Sequence, residues 1–192
     1  MEWIEHDLES HLGCHRLDTV EQLTLFSHVI QGLVFMHQHD LAHRDLKPSN
    51  ILIHRGQDGR LGVAKIGDFG SSKQNRSDRM HSHVGTSVYM APELWETSLS
   101  YSKAVDLWSF GIIAVRCLTQ WDVHEAGWGE SSWPTRDEHF RWIEELKTRE
   151  LPAAPVTFRP MLDGLLDTSA ESRWSAIQTG TWLSQRAALR SH

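Results

Sequence analysis

Apolar and polar positions divide this chain into several helical runs, one short pair of strands and a number of polar stretches. From Thr19 to His39, Val20, Leu23, Phe26, Ile30, Leu33, Phe35 and Met36 recur at steps of three and four with no proline between them. That period predicts a long, largely buried helix. Asp18 or Thr19 can cap its start, with Glu21 and Gln22 following in the first turn. Gly32 in mid-helix costs about 1 kcal/mol relative to alanine, which points to close packing of another helix at that level.

Ile51-Leu52-Ile53 and Val63-Ala64-Lys65-Ile66 are short runs rich in β-branched residues, separated by the polar segment 55–60 with its Asp58-Gly59 pair. They predict a small antiparallel hairpin. Ala104 to Leu118 is a strongly apolar helical run, His139 to Glu150 is amphipathic, and helices are expected around 159–167 and 174–189. Residues 71–84, 97–101 and 121–137 lack periodicity and read as loops. Residues 151–160 contain three prolines and are expected to be irregular. The expected class is mainly α, in an α+β arrangement with one small hairpin.

A length of 192 residues suffices for one domain with a real core. Hydrophobic residues at 40% and charged residues at 23% are those of a soluble globular protein. The net charge of −6, with lysine and arginine dispersed, argues against a nucleic-acid-binding face. No apolar run approaches the length of a membrane span. Glu2, Glu5, Asp7 and Glu9, with no basic segment among them, argue against a secretory or mitochondrial leader. Cys14 and Cys117 lie far apart in sequence, which suggests reduced thiols in the cytoplasm or nucleus. Trp121, Trp128 and Trp133 fall in a loop containing glycine, glutamate and serine, where they could form an exposed aromatic contact surface.

The chemistry is concentrated in two motifs. Residues 43–50 read His-Arg-Asp-Leu-Lys-Pro-Ser-Asn, and 68–70 read Asp-Phe-Gly. Asp45 can accept a proton from an attacking hydroxyl and Lys47 can neutralise a phosphate. Asn50 and Asp68 offer the hard oxygen ligands that Mg²⁺ prefers. An isolated aspartate is more often a cap or turn residue, but its companions at +2 and +5 favour the catalytic reading.

In wording and order, these motifs resemble those of the eukaryotic protein kinases. The resemblance continues through Ala91-Pro92-Glu93 and Asp106-Leu107-Trp108-Ser109-Phe110-Gly111 and covers nearly the whole chain. It implies the fold of the large, helical C-terminal lobe over residues 1–192, with 1–8 hinge-like, 43–50 the catalytic loop and 68–93 the activation segment. Lys47, together with Thr86 in Gly85-Thr86-Ser87-Val88-Tyr89-Met90, resembles the serine/threonine class, in which that hydroxyl bonds the catalytic aspartate and lysine.

The resemblance also implies roles at the nucleotide. Glu2 and Ile4 would offer backbone groups to adenine, Asp7 would meet the ribose, and Leu52 would form the apolar floor. An acidic first helical turn is the alternative reading of Glu2 to Leu8. His43 and Phe69 would stack in the spine joining the two motifs. Arg44 would pair with a phosphate on Ser82, ordering the activation loop. Glu93 with Arg173, and Asp106 beneath the catalytic loop, would hold the fold, as would Trp108 and Trp174 in the core.

No G-x-G-x-x-G-x-V segment and no V-A-I-K-like lysine precede the catalytic loop. The expectation is a C-terminal lobe without the N-terminal β lobe. The implied activity is transfer of the ATP γ-phosphate, with Mg²⁺, to serine or threonine of a protein substrate. Without the small lobe, weak or absent activity is expected. The alternative is a catalytically silent, pseudokinase-like module that binds a protein partner at its open cleft or tryptophan-containing loop.

Overall fold

The computed structural model describes residues 6–57, 59–68, 87–95, 102–121 and 135–188. Its longest helix, α2 (Thr19–Gln38), follows directly from the sequence around its start. Asp18 Oδ1 accepts the amides of Val20 and Glu21 at 2.8 and 2.9 Å, while Glu21 Oε2 accepts the Asp18 amide at 3.0 Å. This reciprocal capping satisfies amides that the helix cannot pair internally. Leu25, Phe26, Val29, Ile30, Leu33 and Met36 form its buried stripe. Val20 and Phe35, expected on that stripe, are instead 60% and 62% exposed.

At Gly32 the close neighbour is a strand residue and not a helix. A Cβ there would lie 2.9 Å from Ile66 Cδ1, so the glycine admits β3 (Leu61–Ile66) against α2. β3 pairs antiparallel with β2 (Ile51–Arg55), as the hairpin pattern predicts. Gly59 supplies the positive φ of 77° at the connecting turn. The sheet has a third strand, the two-residue β1 (His6–Asp7), and its order is β1-β2-β3. Asp7 lies opposite Leu52, and Ile51 opposite Ile66.

α1 (Leu8–Leu12) follows β1 immediately, capped by Asp7, whose Oδ1 accepts the Ser10 amide at 2.7 Å. At the centre of the molecule lies α3 (Ala104–Thr119), buried at every position from Val105 to Cys117. Its Gly111 leaves room for Leu165 and Leu166 at the end of α6 (Arg159–Leu165). Phe26 meets Phe110 and Phe158 edge to face, with ring centroids 5.8 and 5.9 Å apart, the arrangement favoured by the ring quadrupoles. These contacts join α2, α3 and the start of α6 in one core.

α4 (Arg136–Glu145) begins with a Thr135–Glu138 capping box and passes through a π-type turn, Leu146–Glu150, into the short α5 (Leu151–Ala153). Helical structure thus enters the proline-bearing stretch that was expected to be irregular. Pro152 and Pro160 occupy the first turns of α5 and α6, where no amide hydrogen is required of them. α7 (Ala176–Ala188) closes the fold against α2, with Gly180 facing Ile30. Among the described residues, no helix is long and apolar enough to cross a membrane.

Trp121, expected to be partly exposed, is half-buried and stacked on Trp142 with centroids 5.9 Å apart. Trp128 and Trp133 lie outside the described residues, as do the segments 71–84 and 97–101. Cys14 is exposed and Cys117 buried, and both are free thiols. Burial pushes the Cys117 thiol up to about 12.

Candidate active site

The loop between α2 and β2 is fixed from below by a single carboxylate. Asp106, fully buried on α3, accepts the amides of His43 at 2.9 Å through Oδ2 and of Arg44 at 2.8 Å through Oδ1. His37, near the end of α2, brings Nε2 to 2.9 Å from the same Oδ2. A buried carboxylate surrounded by three donors costs far less than an unpaired one. It also holds Arg44 in the left-handed region, at φ 69°, a conformation that needs such support in a non-glycine residue.

His43 links this loop to the next motif. Its ring is fully buried, with Nε2 2.9 Å from the Gly67 carbonyl and Nδ1 3.4 Å from the Asp45 amide. One nitrogen faces an acceptor and the other a donor. The tautomer carrying hydrogen on Nε2 meets both requirements.

Asp45 is buried. Its Oδ2 lies 2.9 Å from Lys47 Nζ and 3.3 Å from Asn50 Nδ2. Its Oδ1 is buried with no hydrogen-bond partner. A buried acceptor left open in this way is costly unless something brings a proton donor to it. Asn50, at the end of the single turn Pro48–Asn50, also donates Nδ2 to the Asp45 carbonyl at 2.7 Å. With its amide nitrogen directed to Asp45, the side-chain oxygen points elsewhere.

The ladder between β2 and β3 brings the second motif alongside. Ile51 pairs with Ile66, and the Gly67 amide donates to the Asn50 carbonyl at 2.8 Å. Asp68, the next residue, is exposed and has a φ of 51°. The two proposed magnesium ligands therefore stand beside each other at one end of the ladder. A Cβ on Gly67 would lie 3.0 Å from Leu52 Cδ1, so Leu52 packs over this junction while facing Asp7 on β1.

The donor types suit Mg²⁺: the Asp68 carboxylate and the Asn50 amide oxygen are both hard ligands. Among the described residues no three His, Cys, Asp or Glu side chains converge as a metal cage. A magnesium ion that keeps most of its water and its phosphate ligands needs none.

Glu93 and Arg173 form the expected buried pair. Arg173 Nη1 and Nη2 donate to the two Glu93 oxygens at 2.7 and 2.9 Å, and the guanidinium lies 5.2 Å from the Trp108 ring centroid. The family model for the protein kinase domain matches residues 1–181. The chain belongs to the protein kinase family.

Its kinase relatives include the mouse inhibitor of nuclear factor kappa-B kinase subunit beta, 38% identical over 133 residues, which make up 69% of this chain and 17% of that protein. Chicken inhibitor of nuclear factor kappa-B kinase subunit alpha is 33% identical over 139 residues, 72% of this chain and 17% of that one. The Arabidopsis thaliana mitogen-activated protein kinase kinase 2 is 35% identical over 150 residues, 75% of this chain and 38% of the other. The chain thus spans well under half the length of these curated relatives.

Of the residues singled out by sequence, the structure brings the side chains of Asp45, Lys47 and Asn50 together. The β2–β3 ladder sets Leu52 and Asp68 beside Asn50 along the backbone, and Asp7 lies across the sheet from Leu52. Asp7 also spends Oδ1 on capping α1, which fits the alternative reading of an acidic helix start. Glu2, Ile4, Phe69, Ser82 and Thr86 lie outside the described residues. Sequence reasoning missed His37, whose contact with Asp106 is set by the exit angle of α2. It also missed Arg116, which donates to both oxygens of Glu9 at 2.6 Å and to the Tyr89 hydroxyl at 3.1 Å.

Proposed function

We propose that this chain carries the catalytic loop of a serine/threonine protein kinase acting on protein hydroxyls, within the boundaries read from the motifs: hinge at 1–8, catalytic loop at 43–50 and activation segment at 68–93. The observation that carries the reading is Asp45, a buried carboxylate with one oxygen held by Lys47 and Asn50 and the other open. Mg·ATP, when bound, supplies the electrophilic γ-phosphoryl group with part of its charge already neutralised. Asp45 Oδ1 receives the hydrogen of the substrate hydroxyl and orients its oxygen lone pair. Lys47 balances the charge that spreads over the phosphate oxygens. Asn50 and Asp68 would hold the metal, while Leu52 presents an apolar surface to the base. Thr86 is assigned to the Asp45–Lys47 pair, and Glu2, Ile4 and Asp7 to the adenine and ribose. The setting is cytoplasmic or nuclear.

Support for serine/threonine transfer comes from Lys47 beside Asp45 and from the names of the relatives. The test is phosphotransfer from radiolabelled ATP to matched serine, threonine and tyrosine peptides, with Asp45→Asn as control. Weak Mg²⁺-dependent labelling of serine or threonine, lost to background in D45N, is expected, since a general base typically supplies a factor of about 100 or more. Labelling that D45N leaves intact, or that is confined to tyrosine, overturns it. Complete silence of the wild type favours the binding-module alternative.

A further inference from the structure

Among the described residues, Arg116, Arg173 and Arg55 lie against the interior with different partners. Arg116 and Arg173 each grip a carboxylate with two nitrogens. Arg55, half-buried at the end of β2, meets two imidazoles instead. Its Nη2 lies 3.1 Å from His11 Nδ1 and 3.0 Å from His15 Nδ1. Those rings stack on each other with centroids 5.1 Å apart. Among the described residues no carboxylate bonds Arg55.

A guanidinium only donates, so each imidazole can face Arg55 only while its Nδ1 lone pair is unprotonated. Three potential cations are thereby gathered in one place, with the Glu21 charge acting on His11 but no carboxylate among the described residues bonded to any of the three. His11 Nε2 and Arg55 Nε are both buried without a partner. If Nδ1 is the acceptor, Nε2 of His11 carries hydrogen. The cluster therefore holds two buried donors with nothing to receive them, a costly state. What it lacks is a compact acceptor bearing negative charge.

The surrounding groups do not supply one. β1 contributes another imidazole, His6, near His11. α2 contributes Glu21, but its oxygens accept the amides of Leu61 and Asp18, each at 3.0 Å. His15, on the connection from α1 to α2, is exposed and opens the cluster to solvent.

We propose that Arg55, His11 and His15 form a binding site for a phosphate-type oxyanion, taken up together with a proton. The Arg55 fork suits two phosphate oxygens. Once the anion sits on it, an imidazole released from its acceptor role gains a proton and donates to the bound oxygen. Uptake is linked: the anion raises the proton affinity of the rings, and protons raise the affinity for the anion by the same factor. In the empty cluster the His11 ring titrates below its ordinary value, through burial first and then through Arg55 and His15. This site is independent of the nucleotide-site reading.

The experiment follows the histidine ring resonances of the protein from pH ~5.5 to ~8, with and without inorganic phosphate, over the range where imidazoles titrate. Phosphate is expected to move the titration of the His11 ring upward, so that binding tightens as the pH is lowered. Arg55→Gln should weaken binding at least tenfold, and Arg60→Gln, on the neighbouring turn, by less than twofold. Should R55Q fail to fold, Arg55→Lys decides, since it keeps the charge and loses the fork. Tighter binding of phospho-L-serine than of phosphate would identify a phosphorylated side chain as the source, and equal binding the free ion. Rings that do not respond to millimolar phosphate, or a response unchanged in the Arg55 variants, overturn the proposal.

Discussion

Arg173 holds Glu93 through two hydrogen bonds of 2.7 and 2.9 Å between residues eighty positions apart, with the arginine side chain fully buried. The pair ties the short turn Pro92–Trp95 to the segment preceding α7. The partners are not equivalent. Arg173 also donates to the carbonyls of Ala104 at 2.9 Å and Asp167 at 3.0 Å. Replacing Glu93 by alanine leaves the arginine those two acceptors, whereas replacing Arg173 by alanine leaves a carboxylate and two carbonyls unserved. Both should lower stability by roughly 3–5 kcal/mol, the range for breaking a buried pair, with Arg173→Ala the worse. Urea unfolding midpoints measure the order, and a milder Arg173→Ala would contradict it.

Gly164 and Gly32 make a second contrast. The Trp174 amide donates to the Gly164 carbonyl at 2.9 Å, and its indole ring occupies the place a Gly164 side chain would need. Gly164→Ala must push a rigid ring aside and should cost about 1–3 kcal/mol. At Gly32 the obstacle is only the far end of Ile66, which can turn away. Gly32→Ala should fall within about 1 kcal/mol of neutral, because the helix gains from alanine what the contact loses. Equal melting shifts for the two variants would show the space argument to be wrong.

Asp106 is predicted to be indispensable as a carboxylate. An asparagine of the same shape keeps one accepting oxygen but turns an NH₂ group toward donors on its other side. Asp106→Asn should therefore lose about 3 kcal/mol. It should also release one of the His43 and Arg44 amides, which bond different oxygens of Asp106, so that this one exchanges with solvent faster than in the wild type. Unchanged exchange at both amides would mean that the loop is held by other contacts.

The parts legible in the sequence were those whose chemistry is local. The contacts among Asp45, Lys47 and Asn50 and the α2 cap each depend on residues within a few positions of one another. The α2 stripe was drawn one step too wide. Val20 and Phe35 satisfy the period but sit on its flanks, while Gln22 turns inward because its amide reaches the carbonyls of Leu17 and Cys117, both at 3.1 Å. β1 was missed because two residues carry no alternation, and their strand character comes only from Leu52 and Ile53. The Arg116–Glu9 pair spans 107 positions, and nothing in either neighbourhood marks it.

His139 sets the response to acid. Its ring lies between Trp95, whose indole nitrogen donates to Nδ1 at 3.0 Å, and Trp142, stacked at 5.7 Å. Burial lowers it from 6.5 to about 4, against a smaller opposing contribution from the Met90 backbone. Between those values the unfolded chain binds a proton that the folded chain refuses, so stability falls as pH drops from about 6.5 toward 4 and levels off below. The full effect is at most ~3.5 kcal/mol, at about 1.4 kcal/mol per pH unit. His139→Gln keeps an acceptor for the Trp95 indole but does not titrate. Carboxylates also titrate at the acid end of this window, so the wild-type minus variant difference in unfolding free energy isolates the imidazole. That difference should decline across the window, and a flat one would place the ring in contact with water.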